Sequence, residues 1–251
     1  MTERKGERIA KHLSRAGVCS RRDAERWIAD GRIWVNGKKI SLPGTLVTAN
    51  CDIRVDRKPI AEPQSTRLWR YHKPAGLICS NNDPRGRPTV FERLPIHLPR
   101  VMSVGRLDFD SEGLLLLTND GGIARRLELP GTGWIRRYRV RMFGTPTEKE
   151  IALLAKGITV DSMKYGPIEA SIDSAKGRNS WVTVALREGK NREIRKVFEH
   201  FGYPVNRLIR TAYGPFQLGK LSRGGVEEVP RRTVKDQLGL DISNAYRGRQ
   251  A

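Results

Sequence analysis

The sequence predicts a two-part α+β protein, and three observations carry that prediction. A unit of about 60 residues reads helix, turn, helix, then short strands. A polar, proline-bearing stretch without periodicity follows, Ala61-Glu62-Pro63-Gln64-Ser65-Thr66. Beyond Arg67, β-rich runs such as 134–143 and 181–186 alternate with amphipathic helical runs such as 148–155 and 191–201, the pattern of an α+β domain.

In the first unit, Ile9, Leu13 and Ala16 recur at helical spacing, and Gly17 suits a C-terminal cap. Ser20 with Asp23 three residues on makes a capping box for a second helix, which reaches Asp30 and ends at Gly31. Ile33-Trp34-Val35 reads as a strand, Asn36-Gly37 as a tight turn and Lys38-Lys39-Ile40 as the returning strand. Residues 52–56 alternate like another strand. After Pro230 the chain turns polar and loses pattern. The expected divisions are therefore 1–62, a linker at 63–66, a larger domain at 67–236 and a polar basic tail at 237–251.

Charge narrows the function. The 251 residues carry 47 Lys and Arg against 27 Asp and Glu, a formal net charge of +20. The excess is not a basic tail on a neutral body: residues 1–70 hold 16 basic and 8 acidic side chains, residues 71–251 hold 31 and 19. Both parts are suited to a polyanionic partner. No apolar stretch of signal-peptide length follows Met1-Thr2-Glu3-Arg4-Lys5, and no run approaches the roughly 20 residues that span a bilayer, so a cytoplasmic protein without membrane attachment is expected. Cys19, Cys51 and Cys79 are odd in number and far apart, and His12, His72, His97 and His200 show no ligand spacing. Neither a disulfide framework nor a metal site is indicated. Nothing in the sequence demands more than a monomer.

The run from Ile9 to Gly17, then Ser20-Arg21-Arg22-Asp23-Ala24-Glu25 and Gly31-Arg32-Ile33-Trp34-Val35-Asn36-Gly37, resembles the RNA-binding domain named after ribosomal protein S4. The resemblance implies that Arg15, Arg21, Arg22, Arg26 and Lys38 face RNA. Physically, guanidiniums beside the positive end of a helix reach phosphate oxygens in bidentate fashion. The alternative is an ordinary solvated helix face.

The most unusual stretch is Gly105-Arg106-Leu107-Asp108-Phe109-Asp110-Ser111-Glu112-Gly113, followed by four leucines and Thr118-Asn119-Asp120-Gly121. A loop with three carboxylates leads into a buried strand, the setting in which catalytic groups tend to sit. Read physically, it offers an acid or a nucleophile without choosing one. It stands between Tyr71-His72-Lys73-Pro74-Ala75-Gly76 and, further on, Arg137-Tyr138-Arg139-Val140 and Glu188-Gly189-Lys190-Asn191-Arg192-Glu193-Ile194-Arg195-Lys196.

In that order these motifs resemble the RsuA/RluB family of bacterial ribosomal RNA pseudouridine synthases, over roughly residues 5–235 including the S4-like part. The resemblance implies a catalytic domain with a mostly antiparallel mixed central sheet and flanking helices. It implies that Asp108 is the single catalytic aspartate, that Tyr138 stacks on the target base, and that Arg195 is the basic residue that pairs with the aspartate; no cofactor is required. Such a pairing has a physical purpose, because a cation within about 4–6 Å favours the charged form of a carboxylate. Tyr138 sits with Val140 and Met142 on one face of an alternating strand, so a core tyrosine is its plain alternative. Arg106, two residues before Asp108, is a candidate to fill the space that a flipped uridine leaves. Arg192 is a candidate phosphate ligand on the same helical face as Arg195.

Leu208-Ile209-Arg210-Thr211-Ala212-Tyr213-Gly214 looks more like the branch acting on large-subunit RNA than the one acting on the small subunit. Lys73-Pro74-Ala75-Gly76 reads as a structural turn, and Asp83, Arg85 and Arg87 read equally as RNA contacts or solvated charges. Two other classes compete. A non-catalytic ribosome-assembly factor predicts loss of the aspartate, tyrosine or arginine, all of which are present. A nuclease or glycosidase needs a metal or a second carboxylate, for which Asp110 and Glu112 are the candidates.

Overall fold

A computed structural model describes residues 6–129, 131 and 133–239. The amino-terminal unit contains β1 (Glu7–Arg8), α1 (Ile9–Arg15), α2 (Arg21–Ala29), β2 (Ile33–Val35), β3 (Lys38–Lys39), β4 (Leu46–Val47), β5 (Ile53–Val55) and β6 (Lys58–Pro59). Helix α2 starts where the sequence places it, because the Ser20 hydroxyl accepts from the Asp23 N–H at 3.0 Å while the Asp23 carboxylate reaches back to Ser20. Asn36 and Gly37 both take positive φ, 49° and 75°, as a two-residue hairpin requires. One face of each helix packs on the short strands through Ile9, Leu13, Ala24, Ile28, Ile33 and Ile53, a core separate from those of the larger domain.

The larger part runs β7 (Leu68–Lys73), β8 (Met102–Val104), β9 (Glu112–Thr118), α3 (Gly121–Glu128), β10 (Arg136–Phe143), α4 (Glu148–Leu154), β11 (Ile158–Val160), β12 (Met163–Tyr165), β13 (Ile168–Lys176), β14 (Asn179–Leu186), α5 (Glu193–His200), β15 (Val205–Tyr213), β16 (Phe216–Gln217), β17 (Val226–Glu228) and α6 (Arg231–Leu238). Its sheet has nine strands, in the order β13-β14-β10-β15-β9-β7-β17, with β16 on β15 and β8 on β9. Every pairing is antiparallel except β9 with β15, so the sheet is mixed and mostly antiparallel, as expected.

Strand β9 is buried along its whole length because it feeds two cores. Leu115 and Leu117 enter one with Tyr138, Val140, Met142 and Phe198 of α5. Leu114 and Leu116 enter the other with Leu127 of α3 and Val234 of α6. That explains an unbroken leucine run where a half-exposed strand would alternate. Gly113 lets β9 approach β15: at φ +106° it has no side chain, and a Cβ there would lie 2.3 Å from the Arg210 carbonyl oxygen.

Two expectations, the start of the tail and the place of Glu112, need correction. The polar tail expected from 237 overlaps α6, which runs to Leu238; that side chain is 2% exposed and packs with Val234, enough burial to hold an otherwise polar helix. Residues 240–251 lie outside the described residues. The linker expected at 63–66 is fixed at its far end, where the Thr66 hydroxyl donates to Asp120 at 2.8 Å and Asn119 donates to the Ser65 carbonyl at 3.0 Å. Glu112, placed in the carboxylate loop, is instead the first residue of β9.

Candidate active site

A cleft of 590 Å³ opens where the 105–111 loop meets β10, β15 and the start of α5. Asp108 lines it, with about a third of its side chain exposed. The loop that carries it is pinned from several sides. The Gly105 N–H donates to Glu128 at 2.8 Å, and the Leu107 N–H meets the Cys79 sulfur at 3.4 Å. Lys73, at the end of β7, is fully buried, and its ammonium donates to the carbonyls of Pro74, Asp108 and Ser111 at 3.1, 3.0 and 2.7 Å. Three donors meet three acceptors. Burial pushes the Lys73 ammonium below its ordinary value, against the pull of Asp108, Asp110 and Glu112 nearby.

Tyr138 lies in β10, where residues alternate between buried and exposed; it is 8% exposed and lines the cleft. Arg137, Arg139 and Arg141 point the other way and are exposed. Arg192 and Arg195 both reach the Asp108 loop, though not as the sequence suggests. Arg192 precedes α5 in a left-handed conformation, φ 51°, costly for a residue with a side chain. Its guanidinium lies 3.8 Å from an Asp108 oxygen and 3.2 Å from Asp110, so it is committed to carboxylates.

Arg195 does not form the expected ion pair with Asp108. It is 7% exposed and bonds Asp110, to the carbonyl at 3.1 Å and the carboxylate at 3.3 Å, with a further bond to the Val205 carbonyl at 2.8 Å. The reason is positional: Asp110 is the loop carboxylate directed at α5, while Asp108 faces the cleft. Burial works to raise the Asp110 carboxyl, but the hydrogen bond from Arg192 and the charges of Arg195 and Arg192 outweigh it and hold the group below its usual range. Glu112 is 3% exposed and clamped by Arg207 and Arg223 at 2.5 Å each. Neither Asp110 nor Glu112 lines the cleft, so neither stands opposite Asp108 as a second reacting carboxylate.

Arg106 stands on the cleft rim, exposed and without a hydrogen bond or ion pair among the described residues. In the amino-terminal unit, Arg21 and Arg22 open α2 and are exposed, as is Lys38 beyond the hairpin turn. Arg26 is exposed but pairs with Asp23 at 2.9 Å. Arg15 is turned inward onto Glu7 at 3.2 Å. Burial works to raise the Glu7 carboxyl, but the His12 hydrogen bond and the charges of Arg15 and Lys11 hold it at about 2.

Sequence reasoning missed four cleft groups: Arg136, Arg210, Tyr213 and Glu193. Arg210 is 3% exposed and sits opposite Tyr138 in the β10–β15 register. Tyr213 has the Arg136 guanidinium at 4.9 Å and the Arg210 guanidinium at 5.2 Å from its ring. Glu193 is 3% exposed, and burial, reinforced by the neighbouring Glu188 carboxylate, pushes it up to about 7. Only Arg210 left a readable signal, as a charge on the buried side of an alternating strand between Leu208 and Ala212.

The family of RNA pseudouridylate synthases matches residues 67–200, and the S4 domain matches residues 7–53. An uncharacterized RNA pseudouridine synthase of Rickettsia bellii is 47% identical over 229 residues, covering 91% of this chain and 99% of that protein. The ribosomal large subunit pseudouridine synthase B of Pasteurella multocida is 43% identical over 236 residues, covering 91% of this chain and 68% of that one. Among solved structures, a pseudouridylate synthase superimposes with a TM-score of 0.63 at 24% identity, over 91% of this chain and 98% of that one, which is a likeness of fold.

Proposed function

The chain belongs to the RNA pseudouridine synthase family and carries an S4 domain ahead of the synthase domain, and from that premise we propose that it isomerises a uridine of large-subunit ribosomal RNA, with Asp108 as its catalytic residue. The observation that carries the assignment is the convergence on one cleft of Asp108, Tyr138 and Arg192, delivered by the 105–111 loop, β10 and the turn ahead of α5. The relatives named for the large ribosomal subunit, 43% identical in the case of Pasteurella multocida, favour large- over small-subunit RNA.

Isomerisation breaks the uridine N1–C1′ bond, turns the uracil and joins its C5 to C1′. Asp108 faces the space where the ribose would lie, as a nucleophile at C1′ or as a base for a sugar proton. Tyr138 offers its ring to the extruded base, a contact that contributes about 1–3 kcal/mol against the cost of unstacking. Arg195 is a positioning residue that acts through Asp110, and Arg192 supplies the cation beside Asp108. Arg106 enters the gap left in the RNA, a role that its exposed, unpaired side chain at the rim supports. Arg21, Arg22 and Lys38 present free charge for the RNA backbone, whereas Arg15 and Arg26 act first on their own carboxylates. The enzyme works as a cytoplasmic monomer without a cofactor.

The test is tritium release from ribosomal RNA labelled at uracil C5, with large- and small-subunit RNAs assayed separately. Forming the C5–C1′ bond expels that hydrogen. Release from large-subunit RNA alone, absent in Asp108→Asn, is the expected result. Release from small-subunit RNA moves the substrate assignment; no release from either, while RNA binding persists, makes the protein a binding factor.

A further inference from the structure

The cations around the cleft differ in what holds them. Arg192 and Arg195 are bound to Asp110, and Lys190 to Glu188 at 2.8 Å. Arg106 is exposed to solvent. Arg136 donates to the Arg187 carbonyl and the Tyr213 hydroxyl. Arg210 is buried and, among the described residues, has no carboxylate within ion-pair distance. Its Nε donates to the Leu114 carbonyl at 2.7 Å, the Tyr213 ring lies 5.2 Å away, and Nη2 is buried with no partner.

A buried charge without a counter-ion costs several kcal/mol, and a ring face offsets only part of that. An unpaired cation in a low-dielectric site also keeps its full attraction for negative charge arriving from outside. Arg210 is the register partner of Tyr138 on the adjacent strand, and both side chains line the cleft. A base stacked on Tyr138 therefore lies beside the Arg210 guanidinium.

We propose that Arg210 stabilises the uracil anion released when the glycosidic bond breaks, through a hydrogen bond from its free N–H to a uracil carbonyl oxygen. The inference rests on the synthase reading above. When N1–C1′ breaks, the bonding pair leaves with the base and spreads over N1 and the carbonyl oxygens, while C1′ is left electron-poor on the Asp108 side. The base then turns, C5 donates a pair to C1′, the C5 hydrogen departs to solvent as a proton, and N1, which kept the released pair, takes a proton from solvent. Negative charge on the base exists only between those two bond changes. A cation fixed beside it lowers the barrier without tightening ground-state binding.

Single-turnover tritium release at saturating enzyme, with filter-binding affinity for the same C5-labelled large-subunit RNA, separates chemistry from binding. Arg210→Gln is expected to slow release by about 10²–10³-fold with the RNA Kd within about threefold of wild type. Arg210→Lys keeps a cation at the position and is expected to stay within about tenfold of the wild-type rate. Thermal melting confirms that each variant is folded, and Arg210→Met replaces the glutamine variant if that one is not. Release by Arg210→Gln within about threefold of wild type overturns the assignment. So does weakened RNA binding with an unchanged rate, and so does a lysine variant as slow as the glutamine one, which makes the side chain a packing element. A wild type that releases no tritium from either ribosomal RNA overturns the synthase reading itself, a result distinct from active wild type beside an equally active variant.

Discussion

Lys73 fixes the backbone at Asp108 from the buried side of the loop. Its ammonium holds the carbonyls on both sides of the loop, so removing it frees the backbone from which the carboxylate projects. Lys73→Met is expected to destabilise the protein by about 1–3 kcal/mol through unpaired carbonyls and to slow tritium release about 100-fold through misplacement of Asp108. Melting and single-turnover rates measure the two separately; a rate loss without any stability loss speaks against a tether. Glu193 gives a pH signature. Its carboxyl sits at about 7 in the folded protein against 4.5 for the free side chain, so the folded state binds the extra proton between those values. Its contribution to stability is full below 4.5 and lost as pH rises through about 7. Glu193→Gln, fixed in the neutral form, is expected to melt close to wild type near pH 5 and above it near pH 8. A difference in Tm that stays constant with pH refutes the assignment.

At the scale of elements, the tightest backbone approach at a described glycine is that of β9 to β15. Gly113→Ala puts a methyl group against the Arg210 carbonyl at a φ that side chains avoid, and it is expected to cost about 2–4 kcal/mol in chemical denaturation. Ser20→Ala removes half of the α2 capping box and is expected to cost about 1 kcal/mol. The contrast between these two sites marks what the sequence makes legible. A capping box, an Asn-Gly turn and the alternation of β10 each lie within a few residues, and all three are readable from the chain alone. Gly113 is legible as a glycine but not as the floor beneath Arg210, because its partner is 97 positions away. The same distance hides Lys73 inside an apparent turn motif and sends Arg195 to Asp110, one carboxylate beyond the expected partner. Helix α6 escaped notice because only Val234 and Leu238 of its eight residues are buried apolar side chains.

For the whole molecule, the charge of +20 is spread over both parts, and RNA affinity is expected to follow it. The logarithm of the binding constant should fall linearly and steeply with the logarithm of salt concentration, and exchanging Arg21 and Arg22 for alanine should lower that slope by about 1–2. An unchanged slope in the double variant removes α2 from the RNA contact. The anchoring of the Asp108 loop also has a consequence for biosynthesis. Arg192 and Arg195 reach Asp110 across 82 and 85 residues of chain, and β15 closes against β9 only after both. Such non-local pairings form late. A ribosome that has made the S4 unit and residue 108 has therefore made a chain whose 105–111 loop still lacks the arginines that anchor it. The cleft is complete only once β15 has been translated.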